Sequence, residues 1–193
     1  MLRFLPLALL ALTACGGTEP RYLIDSAPTE TTAETAQVRM QVATLEMREV
    51  SLPAYAEESQ ILIEGADGAL TPLDNALWAD EPRRAVTLRL AEAISRGGSA
   101  TVAAEPWPLE TPAQAAVHVQ VSDMVARAPG QSGGQFDLKG QFAISSYDHV
   151  VRERIRRFDI SVPMPDASPA GIARASGQAL QNLAIEITQE LRR

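Results

Sequence analysis

Cysteine and histidine are common nucleophiles and metal ligands, and this 193-residue chain has one cysteine, Cys15, and two histidines, His118 and His149. His118 falls on the polar face of a predicted strand and His149 in a predicted turn. Neither has a partner at the spacing of a zinc site. The adjacent acids Glu57 and Glu58 lie in a polar segment that is typical of solvated surface. We therefore predict no catalytic residue, no metal site and no enzyme activity.

Two further patterns that could carry catalysis or phosphate binding are incomplete. No Gly-x-Ser-x-Gly nucleophile elbow occurs in the sequence. Residues 130–134, "GQSGG", are rich in glycine but lack the Lys-Ser/Thr of a phosphate-binding loop. We predict that they form a hairpin turn.

The surroundings of Cys15 indicate secretion. Arg3 supplies a positive charge, and Phe4 to Ala14 are apolar apart from Thr13. This is the pattern of a signal peptide, and the run is too short to span a bilayer, which needs ~20 residues.

The residues Leu12-Thr13-Ala14-Cys15 resemble the bacterial lipobox. The resemblance implies that the cysteine is acylated, with palmitate for example, and that the signal peptide is removed before it. These acyl chains on Cys15 are the only bound group that we expect, with no other cofactor. The alternative is an ordinary signal peptide that leaves a free thiol, which is a liability in an oxidising compartment.

The lipobox divides the chain into a signal peptide at 1–14, a lipidated cysteine and tether at 15–21, and a single domain at 22–193. Gly16 follows the cysteine, whereas lipoproteins retained in the inner membrane of enteric bacteria often have aspartate there. We therefore expect the protein to be anchored at the periplasmic face of the outer membrane, with the inner membrane as the alternative.

Composition limits the partners and the means of stabilisation. The hydrophobic fraction of 46% is typical of a globular protein, and the net charge of −7 argues against nucleic acid as a partner. With one cysteine, no internal disulfide can form, so the hydrophobic core must stabilise the domain.

The hydrophobic pattern predicts two long helices. One begins at Asp80-Glu81-Pro82, has an apolar stripe, and ends at Gly97-Gly98. The other begins at Ser168-Pro169 and runs to the last residues. Its predicted apolar stripe consists of Ser176, Leu180, Leu183, Ile187 and Leu191.

Alternation of apolar and polar residues predicts the strands. Gln37 to Leu52 is predicted as one strand with a bulge near Ala43-Thr44, and residues 60–64 and 101–104 as short strands. Residues 70–77 are interpreted as a turn-rich segment. Three later segments, around 117–121, 136–145 and 150–163, are predicted to form an antiparallel meander, with a bulge near Arg156-Arg157 in the last. The predicted class is α+β, a mixed, mostly antiparallel sheet of about six strands with both helices on one face.

A cluster of arginines is unusual in so acidic a chain. Arg152, Arg154, Arg156 and Arg157 lie within six residues of one another. They form either a basic patch for lipid headgroups or an acidic partner protein, or a solvated sheet face paired with Glu153 and Asp159.

Several short motifs carry a family resemblance. By pattern alone, Leu52-Pro53-x-Tyr55 and Trp78 are packing residues at the core or its edge. Together with Gln60-Ile61, Tyr22-x-Ile24, "EPWP" at 105–108, Arg157-Phe158 and the Ala-Leu-x-x-Leu-Ala run at 179–184, they resemble the ABC-type transport auxiliary lipoproteins, the PqiC-like family. Glu57, where an Asp is usual, and Pro82, where a Leu is expected, depart from the family pattern.

The resemblance implies a non-enzymatic role in lipid trafficking and membrane integrity. The partners would be an MCE-domain protein and an inner-membrane permease or ABC transporter. A homo-oligomer, for example a ring, is expected, with a partner surface at a sheet edge or at the loops around Leu52, Pro53, Tyr55 and Trp78. Two alternatives stay open: a scaffold lipoprotein for another outer-membrane complex, and a membrane-anchored periplasmic hydrolase.

Overall fold

A computed structural model describes residues 19–24, 37–130, 133–147 and 149–193. Within them, eight strands form one mixed sheet and two α-helices pack on it, which confirms the α+β class with more strands than the six predicted. The strands are β1 (Arg21–Tyr22), β2 (Thr44–Met47), β3 (Gln60–Glu64), β4 (Leu70–Trp78), β5 (Thr101–Ala104), β6 (Ala115–Arg127), β7 (Gly134–Ser146) and β8 (Arg154–Met164). The helices are α1 (Pro82–Gly97) and α2 (Pro169–Glu190).

The long strand β6 organises the sheet. One edge of β6 pairs with β7, and β7 pairs with β8, both antiparallel, so the predicted meander is confirmed. The other edge of β6 is shared by two parallel neighbours, β2 beside its first residues and β3 beside its last. Outside them lie β5 next to β2, and β4 followed by β1 next to β3.

Two segments differ from the predicted strands. Between Gln37 and Leu52 only β2 is a strand, and Val38, Met40 and Ser51 make isolated bridges. Residues on both sides of the predicted bulge are nevertheless buried, as expected. Met40 and Val42 lie before it, Leu45 and Met47 lie after it, and all four contribute to the core. Residues 70–77, interpreted as turn-rich, belong to β4, whose pairing with β3 is interrupted by an irregularity.

The prediction of a bulge near Arg156-Arg157 is wrong. β8 pairs with β7 without a break from Arg154 to Met164, and the exposed fraction of Ile155 is 62%. The apolar residues Val151 and Ile155 suggested a second buried parity, but Val151 is buried in the loop before the strand instead. The bulge of this meander lies in β6, between Val121 and Asp123.

Both helices follow the predicted apolar stripes. Val86, Leu90, Ala93 and Ile94 of α1 are buried, and α1 begins at Pro82, where the missing N–H of proline costs no hydrogen bond. Ser168 caps α2, because its side chain accepts a hydrogen bond from the N–H of Gly171 at 3.0 Å. The predicted stripe of α2, from Ser176 to Leu191, is buried throughout.

Candidate docking and anchoring sites

The four arginines predicted as a basic patch do not share one face. Arg154 and Arg156 alternate with Arg157 along β8, so Arg157 projects from the opposite side of the sheet. Arg154 and Arg156 both bind the carboxylate of Glu190 at the end of α2, with N···O distances of 3.3 and 3.0 Å. Arg152 lies in the loop before β8.

Tertiary structure brings other arginines to Arg154 and Arg156. Residues 39–41 run antiparallel to the end of the chain, with the N–H of Gln41 bound to the carbonyl of Leu191 and the N–H of Arg193 bound to the carbonyl of Arg39. This pairing places Arg39, Arg192 and Arg193 just beyond the last turn of α2, whose residue Glu190 holds the two arginines of β8. We call the set Arg39, Arg154, Arg156, Arg192 and Arg193 the arginine end.

The arginine end carries excess positive charge. Arg39, Arg192 and Arg193 are exposed, and among the residues that the structure describes no Asp or Glu side chain lies within 4.0 Å of their guanidinium groups. Arg154 and Arg156 share one glutamate. The negative end of the α2 dipole explains part of this arrangement. It does not explain why Arg39 lies opposite Arg193, since like charges at opposite positions of a strand pair are destabilising.

Sequence reasoning could find only part of the arginine end. Arg154 and Arg156 were visible as a run, and Arg192 and Arg193 suit the negative end of a predicted helix. Arg39 is more than a hundred positions away from all of them, and no local pattern signals that it lies beside Arg193.

The motif residues Leu52, Pro53, Tyr55 and Trp78 are mainly structural. Leu52 and Trp78 are buried, with exposed fractions of 6% and 8%. Pro53 is the N-cap of a short 3-10 helix, Ala54–Ala56, that carries Tyr55 to the edge of β6. There the Tyr55 hydroxyl donates to Asp123 Oδ1 at 2.9 Å and accepts from the N–H of Met124 at 3.1 Å. Burial raises the pKa of Tyr55. The predicted role of these residues at a partner surface stays a prediction.

A charge network lies beside Tyr55 at the end of β6. Arg127 donates hydrogen bonds to Glu64 on β3, to Asp123 on its own strand and to Asp137 on β7. The side chain of Asp137 is only 3% exposed and also accepts from Ser161 on β8. Burial acts to raise the pKa of Asp137, but the hydrogen bonds from Ser161 and Arg127 outweigh it and lower the pKa below 3.8. The network ties four strands together.

A groove of about 250 Å³ opens between β1 and α1. Ile24 and Trp78 contribute its buried lining, and Leu23 and Leu88 line it with exposed fractions of 60% and 42%. The chain enters the domain beside it, because the carbonyl of Pro20 accepts a hydrogen bond from the N–H of Leu77 at 3.3 Å. Cys15 and the rest of the lipobox, Leu12 to Ala14, lie outside the described residues.

The residues considered for chemistry are dispersed. His118 is exposed on β6 with a ring nitrogen 3.2 Å from Ser145 Oγ, and His149 lies in the loop before β8. Glu57 binds Arg83 of α1 as an ion pair. Across residues 19–24, 37–130, 133–147 and 149–193, no three His, Cys, Asp or Glu residues are grouped to hold a metal ion. Gln131 and Ser132 of the predicted hairpin turn lie outside the described residues.

The sequence matches the family described as the ABC-type transport auxiliary lipoprotein component over residues 22–188. The chain belongs to this family. It is therefore an auxiliary lipoprotein of ABC-type transport, associated with the cell envelope, and the suspected resemblance is confirmed. No curated protein matches the chain in a sequence comparison. Within the described part of the chain, neither helix of this auxiliary lipoprotein is long and apolar enough to cross a membrane.

Two solved structures share the fold of the auxiliary lipoprotein. Protein XCC0632 from Xanthomonas campestris is 19% identical, with a TM-score of 0.68, and the match covers 88% of this chain and 92% of that protein. A crystal structure described as an uncharacterized protein is 17% identical, with a TM-score of 0.65, over 80% of this chain and 95% of the other. At these identities the likeness shows the fold alone.

Proposed function

We propose that the chain is a non-enzymatic lipoprotein, anchored through acyl chains on Cys15 to the periplasmic face of the outer membrane, that serves an MCE/ABC-type lipid transport system. Its role is to dock an acidic surface of the MCE-domain protein or of the inner-membrane permease. Membership of the auxiliary lipoprotein family supports the transport role. Gly16 after the cysteine supports the outer membrane.

The observation that carries the docking role is the arginine end. Five arginines from three segments meet there in a protein of net charge −7, and a protein with this overall charge attracts an acidic partner only through such a local concentration of positive charge.

The position of the arginine end favours a protein partner over the headgroups of the anchoring membrane. The tether enters beside Leu77, just before α1 begins, whereas the arginine end lies at the other end of that helix, where the N–H of Val38 binds the carbonyl of Gly97. A helix of 16 residues is about 24 Å long. The arginine end is therefore held away from the point at which the domain is tethered.

Site-specific photocrosslinking in cells tests this role. A benzoylphenylalanine residue replaces Arg192, and a matched control carries it at Arg174, which is exposed on the first half of α2. We expect an adduct with an MCE-domain protein or a permease from position 192 and none from position 174. Adducts of position 192 with other envelope proteins alone would instead support the scaffold alternative, and an absence of adducts from a correctly anchored protein would contradict docking at this end.

The anchor has an independent test. Intact-mass measurement of the membrane-extracted protein gives the mass of a chain that begins at Cys15 and carries acyl chains, and Cys15→Ser abolishes both acylation and flotation with membranes. Density-gradient separation of the two membranes then locates the protein. An unmodified thiol on the processed chain would overturn the lipoprotein assignment.

A homo-oligomer, for example a ring, is part of the proposal. β8 pairs only with β7, and β5 pairs only with β2, so the described sheet has open edges on both sides of β6. Contact of β8 with β5 of a second copy would continue the sheet from one copy to the next, and such head-to-tail contacts form a ring when the rotation between successive copies closes. Native mass spectrometry of the lipidated protein in detergent is expected to show a defined multimer. A monomer at all concentrations would refute it.

A further inference from the structure

The groove between β1 and α1 leaves apolar surface in water beside the tether. Single exposed leucines are common on protein surfaces. Here Leu23 and Leu88 come from different elements, line the same groove, and are exposed by 60% and 42%. Exposing both leucines to water at the same groove is unfavourable, so we expect an apolar surface to cover them.

The length of the tether limits what that surface can be. Tyr22, the first residue that lines the groove, lies seven positions after Cys15. At no more than 3.6 Å per residue, the cysteine lies within about 25 Å of the groove. A bilayer that holds acyl chains on Cys15 is therefore always close to Leu23 and Leu88.

The charges around the groove are compatible with a membrane interface. The two carboxylates that line it, Asp80 and Glu92, each form ion pairs with arginines of α1. Asp80 binds Arg84, and Glu92 binds Arg89 at 3.3 Å and Arg96 at 3.0 Å. Neither carboxylate faces the bilayer as an unpaired charge, and arginine side chains extend readily to lipid phosphates.

We infer that the β1–α1 groove is the surface on which the domain rests on its membrane, with Leu23 and Leu88 in the boundary between headgroups and acyl chains. This inference rests on the proposed acylation of Cys15. Contact through the groove fixes the orientation of the domain, which covalent attachment at one residue alone does not.

A single labelled cysteine tests the inference, because acylation removes Cys15 from thiol chemistry. Leu88→Cys is labelled with the environment-sensitive fluorophore NBD in the full lipidated protein, reconstituted in phosphatidylethanolamine/phosphatidylglycerol nanodiscs. The matched control is Ile155→Cys, 62% exposed on the sheet face opposite the helices. We expect emission from position 88 to shift to shorter wavelength and to be quenched by bromine-labelled acyl chains, while position 155 keeps the emission of a label in water. Adding Leu23→Gln reduces the quenching at position 88.

Other outcomes overturn the inference. Equal emission at both positions, or quenching at 155 alone, shows that another face rests on the bilayer. A short-wavelength emission from position 88 in unlipidated Cys15→Ser protein without lipid shows that the chain itself covers the groove. Failure of the acylation is recognised separately, because intact mass and flotation report on Cys15 before any fluorescence is measured.

Discussion

The phenolic oxygen of Tyr55 accepts a hydrogen bond from the backbone N–H of Met124 at 3.1 Å. This contact lies where β2 has ended and β3 has not begun, so that the edge of β6 opposite β7 has no strand beside it. The hydroxyl takes the place of a neighbouring strand, and it also donates to Asp123 at 2.9 Å. Tyr55, which belongs to one of the motifs that carry the family resemblance, thus stabilises the central strand β6.

Tyr55→Phe is expected to lower the free energy of unfolding by about 1–3 kcal/mol, because the N–H of Met124 loses its partner in a half-buried site. Urea unfolding measures the change. Tyr147→Phe is the control, since Tyr147 is 54% exposed and should change stability by less than about 0.5 kcal/mol. Unchanged stability together with lost crosslinking to a partner would instead favour the partner-surface prediction for Tyr55.

Asp137→Asn is expected to reduce the dependence of stability on acid pH. The folded-state pKa of Asp137 lies below 3.8, so its carboxylate stabilises the fold above that pH and the contribution is lost as pH falls through the folded-state pKa. The difference in unfolding free energy between wild type and variant should therefore be largest near neutral pH and shrink below 3.8. A difference that grows towards acid would contradict the assigned hydrogen bonds from Arg127 and Ser161.

Gly140→Ala tests the bulge in β6. A Cβ at Gly140 would overlap the carbonyl oxygen of Gln120 on β6 and lie 2.8 Å from Phe158 Cζ on β8, so β7 would have to move away from these neighbours. We expect a loss of about 1–3 kcal/mol, as for other overpacked sites, measured by thermal or urea unfolding. Gly130→Ala is the matched control, because a Cβ there meets nothing within 4 Å.

Arg39→Glu separates docking from folding at the arginine end. Replacing one of two opposed arginines removes a repulsion, so stability should rise by about 0.2–1 kcal/mol. Crosslinking of the partner from position 192 should fall, because the charge that attracts an acidic surface is reduced. Arg157→Glu, which changes the same charge on the opposite sheet face, is expected to leave crosslinking unchanged. Equal losses from both variants would point to net charge rather than to this end of the molecule.

Local patterns predicted most elements of the fold. The helix stripes from Val86 to Ile94 and from Ser176 to Leu191 were visible because burial on one side of a helix repeats every three to four residues. The alternation in residues 136–145 likewise gave β7. The prediction for β8 was wrong because the positions of its apolar residues did not show which of them are buried. Val151 and Ile155 were assigned to the same buried face, yet Val151 is buried in the loop before the strand and Ile155 is exposed on the strand.

The sequence by itself determined the family, the α+β class and the expectation that Cys15 carries lipid, because each depends on short local patterns and on their order along the chain. Only the tertiary structure decided which arginines lie at the same end of the domain. It joins Arg39 to Arg193, draws Arg154 and Arg156 to Glu190, and turns Arg157 to the other face. It also brings Leu23 beside Leu88. These contacts join distant segments, and they follow from how the strands and helices pack rather than from any local spacing.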